Sequence, residues 1–433
     1  MIDYRVGDTR DVIATIPDNS ISLVACSPPF IALRSYLPAD HPDKHREIGS
    51  EPDPATFIDT LLALTADWGR VLAPWGSIAI ELGDTYSGGG GTWIDPATSL
   101  PVNAKSPHAA QSTPSGGRSG NGWPQAKSLA LIPQLYAIAL AYGRNPLTGA
   151  ESPAGRWRVR NVIVWHRPNP AVSALGDKVR PSTSYIVVAT RDAKRWFDLT
   201  AVRGEPSPNT HARTAKGIDV KATTGKTADK DGNFHTLNTL HSTAGAPPLD
   251  CWFDEYDGSH DTWTITTQPS KLAHYAMWPA KLAERLVLSM CPAEVCSACG
   301  EPRRRVEKPT AEYAAVRLAV GDFKSGRDRS TGLNGHTQYH NGKHIENAEN
   351  VTVGWTDCGC GAPWTAGTVL DPFAGTGTTG AVADLHGRDA VLIDIDPRNP
   401  LLYPARRAEC ARNLFDSPMP KANQLDLFGA VAS

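Results

Sequence analysis

The sequence has little that belongs to a membrane-embedded, secreted or strongly charged protein. Its apolar runs are shorter than the roughly 18 residues that a helix needs to cross a bilayer. Its first residues, MIDYRVGDTR, lack the apolar core of a signal peptide. The formal net charge of the 433 residues is only −2, so a basic surface for nucleic acid has to be local. We therefore expect a cytoplasmic protein that does not bind a membrane.

Cysteine is also scarce, with eight residues of this type. In a cytoplasmic chain, thiols serve as metal ligands or are simply buried more often than they form disulfides. Four of the cysteines form two close pairs, Cys296-x-x-Cys299 and Cys358-x-Cys360. Four thiolates complete a closed structural zinc site, and we predict zinc at these pairs. Because a long segment separates the pairs, unpaired reduced thiols in loops remain the alternative.

Positive charge is concentrated in one part of the chain. Between Arg156 and Lys230 there are 15 Lys and Arg residues against six Asp and Glu. Such a stretch is a candidate for following a nucleic-acid backbone, and a solvated positive face is the alternative. A second basic run, Arg303–Arg305, either contacts phosphates or stays solvated.

Two parts of the sequence alternate strand, helix and strand. In the first, the apolar run Ile21–Cys26 predicts a buried strand, Asp53 and Pro54 mark the start of a helix, and Ser77–Leu82 predicts the next strand. The second part covers residues 368–393 and has a glycine-rich turn before its helix. This alternation predicts an α/β fold with a parallel sheet.

The intervening part adds a helix and two strands. A helix is predicted from the apolar residues Leu129, Ile132, Leu135, Ile138 and Tyr142. The runs Val159–Trp165 and Ser184–Thr190 predict two strands that pair as a meander.

The glycine-rich turn reads DPFAGTGTT, from Asp371 to Thr379. Its glycines allow a ligand to approach the backbone, and the following helix N-terminus offers free N–H donors. A tight turn that needs glycine for steric reasons alone is the alternative. Asp394 ends the next strand about 20 residues later, where dinucleotide-type folds place the carboxylate that binds ribose hydroxyls. A phosphate-binding P-loop is disfavoured because no Gly-Lys-Ser/Thr follows.

The strand Ile21–Cys26 is followed by Ser27-Pro28-Pro29-Phe30. Two prolines after a strand are consistent with a rigid exit turn. They also leave carbonyl acceptors in a stiff geometry, beside the Ser27 hydroxyl and the flat ring of Phe30. That combination is suited to an exocyclic amine held by two acceptors while its ring stacks on an aromatic side chain.

Together the two motifs resemble those of the amino-methyltransferases of DNA, which carry [S/D/N]-P-P-[Y/F] and D-P-F-x-G-x-G-T. The order of the motifs is similar to that of the permuted β group. Further segments resemble those of the family, among them Val6-Gly7-Asp8 and the run from His274 to Pro279. The resemblance implies a Rossmann-like, S-adenosylmethionine-dependent methyltransferase sheet with circularly permuted motif order and with target-recognition and zinc-binding insertions.

The resemblance also implies roles for individual residues. The cofactor S-adenosyl-L-methionine would be cradled by Asp371, Phe373, Gly375, Gly377 and Thr378, with Asp394 on its ribose, Asp8 on its adenine amine, and His274 to Pro279 at its methionine end. Ser27, the carbonyl of Pro28, Pro29 and Phe30 would hold the target base. The implied reaction is direct attack of the exocyclic nitrogen on the methyl group, after the base has left the duplex. A C5-cytosine enzyme is disfavoured because the sequence contains no Pro-Cys pair.

Ser27 at the first catalytic position favours cytosine N4 as the target atom, because the family's cytosine-N4 members mostly carry Ser there; adenine N6 is the alternative. A zinc-stapled DNA-binding module without activity is the more distant alternative. The implied partners are double-stranded DNA and, if the enzyme is not an orphan, a restriction endonuclease for the same site. The implied location is bacterial cytoplasm, or host cytoplasm for a phage-encoded enzyme.

We expect the chain to be organised in segments around these motifs. The expected segments are 1–86, the catalytic half with the SPPF motif; 87–126, a mobile Gly/Ser-rich insertion; 127–200, the remainder of the catalytic half; 201–262, the target-recognition region; 263–295 and 361–433, the cofactor-binding half; and 296–360, a Cys-flanked insertion with a zinc knuckle.

Overall fold

The computed structural model describes most of the predicted α/β core. The described residues are 1–33, 44–88, 118–167, 177, 179–203, 251–252, 278–309 and 350–416. His274, most of the predicted insertion 87–126 and most of the predicted region 201–262 lie outside them. No helix in the described ranges is long and apolar enough to cross a membrane.

The described residues form one large sheet and two small ones. The strands are β1 Ile2–Val6, β2 Ile21–Cys26, β3 Leu72–Leu82, β4 Arg158–His166, β5 Thr183–Thr190, β6 Cys251–Trp252, β7 Val295–Cys296, β8 Arg305–Pro309, β9 Asn350–Trp355, β10 Trp364–Thr365, β11 Thr368–Asp371 and β12 Asp389–Asp394. The helices are α1 Thr9–Ile13, α2 Pro54–Val71, α3 Ile132–Tyr142, α4 Ala280–Met290, α5 Thr378–Leu385 and α6 Asn399–Ala411.

The large sheet has eight strands in the order β1-β12-β11-β2-β3-β5-β4-β6. The five strands from β1 to β3 in this order are mutually parallel, and β5 is antiparallel to both of its neighbours. Both predicted strand–helix–strand units are present, with β2, α2 and β3 in one and β11, α5 and β12 in the other. The predicted Rossmann-like α/β fold and the β4–β5 meander are confirmed.

Helices cover both faces of the sheet. One hydrophobic core lies beneath α1, α2 and α3, and the other lies beneath α4, α5 and α6. The two strand–helix–strand units therefore wind in opposite directions from neighbouring central strands, β2 and β11. The point between these strands is the topological switch point of the sheet.

Strand β3 begins earlier than predicted, at Leu72 rather than at Ser77. Leu72 has extended backbone angles and its N–H still donates to Trp68 O, so it ends α2 and begins the strand at once. Leu72 pairs with Ile21, and the register then shifts before Leu23 meets Ser77. This irregularity accommodates Pro74 and Gly76 within the strand.

The predicted helix is present as α3, but not all of the apolar residues that predicted it are buried. Ile138 and Tyr142 are 45% and 63% exposed, and Leu129 lies before the helix. The buried face instead includes Tyr136, whose hydroxyl is 2.7 Å from the Thr65 hydroxyl on α2. Because apolar residues occur on every side of this helix, periodicity alone does not identify the side that packs.

Candidate functional site at the switch point

The two sequence motifs meet at the carboxyl edge of the parallel strands. Strand β2 leads into Ser27, and β11 ends at Asp371. The two strands are direct neighbours, with Leu370 paired to Val24. In open α/β sheets, ligands bind outside this edge at the switch point. Motifs from opposite ends of the chain are thus brought to one site, and we call this side of the sheet the switch-point edge.

The glycine-rich turn is held by bonds to β12. Ala374 N–H donates to Ile393 O at 2.9 Å, and Gly375 N–H donates to Asp394 Oδ2 at 2.8 Å. Gly377 has a φ of +85°, and a Cβ there would lie 2.6 Å from the ring of Tyr403. Glycine is therefore required at 377 both for backbone conformation and for space.

The Asp394 carboxylate supports the turn and retains acceptor capacity. Besides Gly375 N–H, it accepts hydrogen bonds from Asp396 N–H and Asn399 Nδ2, both at 2.9 Å. A carboxylate offers about four acceptor positions, so about one stays available for a ligand hydroxyl.

Carboxylates concentrate negative charge at this edge. Asp371 is 4% exposed, and burial, with a further contribution from the charge of Asp394, raises its pKa to about 7. Tyr4 donates its hydroxyl hydrogen to Gly375 O, and its pKa is raised by burial and then by Asp394, Asp371 and Asp396. The site is thus suited to a ligand with positive charge.

Asp8 lies at the same edge, directly after β1, whose end pairs with that of β12. It caps α1 and accepts hydrogen bonds from Arg10 N–H and Nε at 2.9 Å and from Arg10 Nη2 at 2.6 Å. Burial opposes its ionisation, but the bonds from Arg10 and the charges of Arg10 and Arg46 lower its pKa below the usual value. Asp8 is therefore an ionised acid with arginine partners.

Pro279 marks the other described end of the predicted cofactor site. It precedes α4, and its carbonyl accepts a hydrogen bond from Leu282 N–H at 3.1 Å. The carbonyl of the preceding residue, Trp278, accepts a hydrogen bond from the buried Arg406 at 2.7 Å.

Ser27 has a partner that the sequence analysis missed. Its hydroxyl donates a hydrogen bond to Glu81 Oε2 on the neighbouring strand β3. Glu81 is 4% exposed; burial raises its pKa, whereas the Ser27 and Ser184 hydroxyls and the charge of Arg167 lower it. Glu81 is the only charged residue in the strand sequence SIAIEL. This isolated acid was the signal in the sequence that could have identified the partner of Ser27.

Phe30 lies against the backbone at the end of β3. A Cβ at Gly83 would lie only 2.6 Å from the Phe30 ring. Glycine at this position therefore lets an aromatic ring lie close to the end of the strand, next to Ser27.

A second missed residue, Arg118, holds the loop that follows Phe30. Ala32 has a φ of +51°, and its N–H donates to Gly49 O at 2.8 Å. Arg118 donates to Ala32 O from Nε at 3.1 Å and from Nη2 at 2.8 Å. Arg118 belongs to the predicted mobile insertion, so ordered packing begins before the predicted boundary at residue 127. Residues 89–117 of that insertion lie outside the described part of the chain.

The four paired cysteines are brought together. Their Sγ atoms all lie within 4.8 Å of one another, and all four are free thiols. The cluster can hold a metal ion.

The arginines Arg303–Arg305 have partners within the protein. They pair with Glu294 at 2.8 Å, Glu301 at 3.7 Å and Asp198 at 2.7 Å, in that order. Arg303 also lies over the ring of Trp364, and Arg305 over that of Trp355. These side chains are therefore paired within the protein rather than free in solvent.

The predicted basic stretch is divided between the two edges of the sheet. Arg158 pairs with Thr190 at the start of β4, whereas His166 pairs with Thr183 at its end. Because Tyr185 pairs with Leu82, the His166 end lies at the switch-point edge. Arg167 and Arg180 are therefore on the side of Ser27, and Arg158 and Arg160 are on the opposite side. Residues 204–230 are not among those described.

A mostly parallel open sheet with a glycine-rich turn and two acids at its switch point defines a nucleotide-binding α/β protein. The profile of the N6_N4_Mtase family, described as DNA methylase, matches residues 21–294 and 365–399. The chain therefore belongs to this DNA methylase family. The unmatched stretch 295–364 contains all four clustered cysteines.

Individual relatives are more distant. The chain is 27% identical over 234 residues to the type II methyltransferase M.SfiI of Streptomyces fimbriatus, covering 54% of this chain and 46% of that protein. It is 26% identical over 283 residues to M.Cfr9I of Citrobacter freundii, covering 65% and 70%. The match thus spans less than half of M.SfiI. Among solved structures, the cytosine-N4-specific PvuII DNA methyltransferase aligns with a TM-score of 0.43 and 13% identity over 95% of this chain and 90% of that one.

Proposed function

We propose that this protein transfers a methyl group from S-adenosyl-L-methionine to the exocyclic N4 amine of cytosine in duplex DNA. One observation carries the proposal. The hydroxyl of Ser27, bonded to the buried Glu81, lies at the end of the strand next to the one that ends in Asp371. Base-binding and cofactor-binding motifs therefore share one edge of the sheet.

The residues at the switch-point edge fit this cofactor. S-adenosylmethionine carries positive charge, and Asp371, Asp394 and Asp396 concentrate negative charge there. The glycine-rich turn leaves no side chain at Gly375 and Gly377. In our proposal Asp371, Phe373, Gly375, Gly377 and Thr378 surround the cofactor, and Asp394 accepts a ribose hydroxyl with its remaining acceptor position.

The other two cofactor contacts are proposed from the family resemblance. Asp8 would accept the adenine amine, which requires that it exchange one of its bonds to Arg10. Pro279, together with the undescribed His274, would lie at the methionine end. When bound, the cofactor supplies an electrophilic methyl group on a sulfonium.

The protein groups would hold the amine and prepare it for attack. The Ser27 hydroxyl, which donates to Glu81, has its lone pairs free to accept one amine hydrogen, and the Pro28 carbonyl would accept the other. Phe30 offers its ring face to the base. Two acceptors draw the amine hydrogens out of the plane of the ring. The nitrogen lone pair then leaves conjugation with the ring and becomes nucleophilic.

The bound cofactor would supply its methyl group to the exocyclic nitrogen, with the cofactor sulfur as the leaving group. The product nitrogen carries an excess proton, which passes to Ser27 as the Ser27 proton moves to Glu81, and from there to water. The raised pKa of Glu81 favours its acceptance of that proton. No bond to an enzyme atom is needed.

Cytosine N4 is favoured over adenine N6 because Ser, rather than Asp or Asn, stands at position 27. A neutral hydroxyl is a weaker acceptor than a carboxylate. The bond to Glu81 offsets this difference, because it polarises the hydroxyl toward the amine. Adenine N6 is the alternative target at the same site.

DNA would reach the site at the switch-point edge, with the target base outside the duplex. Arg167 and Arg180 lie on this side of the sheet and are candidates for phosphate contacts. The type II methyltransferases among its relatives support a restriction–modification role, with an endonuclease that acts on the same site. The second cofactor that we propose is zinc, held by the clustered cysteines.

The test is methyl transfer from labelled S-adenosylmethionine to duplex DNA, RNA and free nucleosides, followed by mass spectrometry of digested nucleosides. N4-methylcytosine from duplex DNA alone is the expected product. N6-methyladenine without N4-methylcytosine would overturn the choice of base. Ser27→Ala removes the proposed acceptor at this site and should abolish methylation. Methylation that persists in this variant would contradict the site.

A further inference from the structure

The cysteine cluster has the dimensions of a metal site. In a tetrahedral site with Zn–S bonds of about 2.3 Å, the sulfur atoms lie about 3.8 Å apart. The four Sγ atoms here all lie within 4.8 Å of one another. We infer that Cys296, Cys299, Cys358 and Cys360 form a closed four-thiolate zinc site. We further infer that this zinc joins residues 295–309 and 350–364 to each other and to the methylase core, and we call this joined region the clasp. The inference does not depend on the methyl-transfer proposal.

Each cysteine pair lies in a tight turn that directs N–H groups at sulfur. In the first turn, Gly300 N–H donates to Cys296 O at 2.9 Å, and the N–H groups of Ala298 and Cys299 point at the Cys296 sulfur. In the second turn, the Cys360 N–H points at the Cys358 sulfur.

Strand pairing places the two turns face to face. Strand β7 pairs with β10 so that Cys296 is opposite Trp364. Ser297 N–H also donates to Pro363 O at 3.0 Å. The pair Cys358 and Cys360, which shortly precedes β10, is thereby folded over the first pair. The two cysteine pairs are thus held together by backbone contacts as well as by the cluster.

Two tryptophans of the core hold the first turn. Trp75 Nε1 donates to Gly300 O at 2.9 Å, and Trp196 Nε1 donates to Arg303 O at 2.8 Å. Trp196 N–H donates in turn to Trp75 O at 2.9 Å, and Val295 packs against the small cluster that the two tryptophans form with Ala73. The metal turn is therefore joined to β3 and to the segment after β5.

A buried ion pair joins the β8–β9 ribbon to the same surface. Asp198 is 8% exposed and accepts hydrogen bonds from Arg305 Nε at 3.2 Å and Nη2 at 2.7 Å. The Asp198 N–H donates to Ser289 O on α4 at 2.9 Å. Closing the cluster therefore holds residues 295–309 and 350–364 against the core. The family profile does not match these residues.

The clasp lies at the edge of the sheet opposite the reaction centre. Strand β11 begins at Thr368, just after β10, and ends at Asp371. A strand of that length separates its ends by roughly 10 Å. All four metal ligands are protein thiolates, so the site has no open position for a substrate. The zinc is structural.

The test is the metal content of the purified full-length protein, measured by plasma mass spectrometry together with X-ray absorption. We expect one zinc per chain with four sulfur ligands. Cys299→Ser and Cys360→Ser replace exposed ligands, so these variants are expected to fold and to lose most of the zinc. Cys410→Ser, a buried thiol outside the cluster, is the matched control and keeps its zinc.

Three results would overturn the inference. They are a metal-free protein that melts at the same temperature as the metal-loaded protein, iron in place of zinc, or full zinc content in both ligand variants. The clasp has its own test in Trp75→Phe, which removes the bond to Gly300 and leaves every ligand in place. This variant should keep its zinc and melt at a lower temperature. An unchanged melting temperature would contradict the clasp.

Discussion

The guanidinium of Arg406 donates a hydrogen bond from Nε to the hydroxyl of Thr378, at 2.9 Å. The same side chain, which is 1% exposed, donates to Trp278 O at 2.7 Å and pairs with Glu409 at 2.5 Å. Thr378 begins the helix after the glycine-rich turn, and Trp278 precedes Pro279. One buried charge from α6 thus joins the two segments proposed to bind the cofactor.

Arg406→Met should lower the free energy of unfolding by about 1–3 kcal/mol, because it removes the hydrogen bonds to the Thr378 hydroxyl and to Trp278 O in a buried place. Arg407→Gln is the matched control: its pair with Asp384 is exposed, so the change should cost less than about 1 kcal/mol. Denaturant unfolding of the two variants measures the difference. Equal losses would contradict a special role for Arg406.

Glu81→Gln should lower kcat for methyl transfer by roughly 10²-fold, because the amide cannot take the proton relayed by Ser27. Cofactor affinity, measured by calorimetry, should stay unchanged. In the double variant with Ser27→Ala, the losses should be far from additive, since the two groups act as a unit. Asp67→Asn, on the part of α2 remote from this edge, serves as the control. Additive losses would refute the pairing.

Cofactor affinity should rise with pH through about 7. In the free protein burial raises the pKa of Asp371 to about 7, and a cationic ligand favours the carboxylate, so binding below this pH must release a proton. Calorimetry in buffers of different ionisation enthalpy detects that release, and Asp371→Asn should abolish it. A pH-independent affinity in the native protein would contradict the proposed contact.

The same shift has the opposite effect on the ligand-free protein. The pKa of Asp371 is higher in the folded state than the ordinary value of 3.8 for an aspartic acid. The folded state therefore binds the proton more tightly between about pH 4 and 7, and its stability contribution falls as pH rises through that window. Thermal melting of the native protein and of Asp371→Asn across this range measures the difference.

Gly83→Ala should impair binding of the target base and leave the cofactor site intact. The added Cβ would lie 2.6 Å from the Phe30 ring, so the ring has to move. A misplacement of the base by about 1 Å costs up to about 10²-fold in rate. The loss in kcat/KM for DNA should vanish in a Phe30→Ala background. A loss that persists there would show that Gly83 acts through another contact.

The local motifs could be predicted from the sequence because the chemistry of each depends on adjacent residues. The turn from Asp371 to Thr379 and the run from Ser27 to Phe30 each carry their backbone geometry within a few positions. The strand–helix–strand units follow from hydrophobic pattern in the same way. The sequence did not predict which side of α3 is exposed, because the packing of Tyr136 against α2 decides it.

The sequence by itself determined the fold class, the order of the motifs and the pairing of cysteines that predicts a metal. The tertiary structure was needed to show that Glu81 lies beside Ser27, that Arg118 supports Ala32, and that Arg406 joins two segments that are proposed to bind the cofactor. It also divided the basic stretch between two edges. The physical reason is that these relationships depend on strand order and helix packing, which bring together residues far apart in the chain, whereas the motifs depend on bonds between near neighbours.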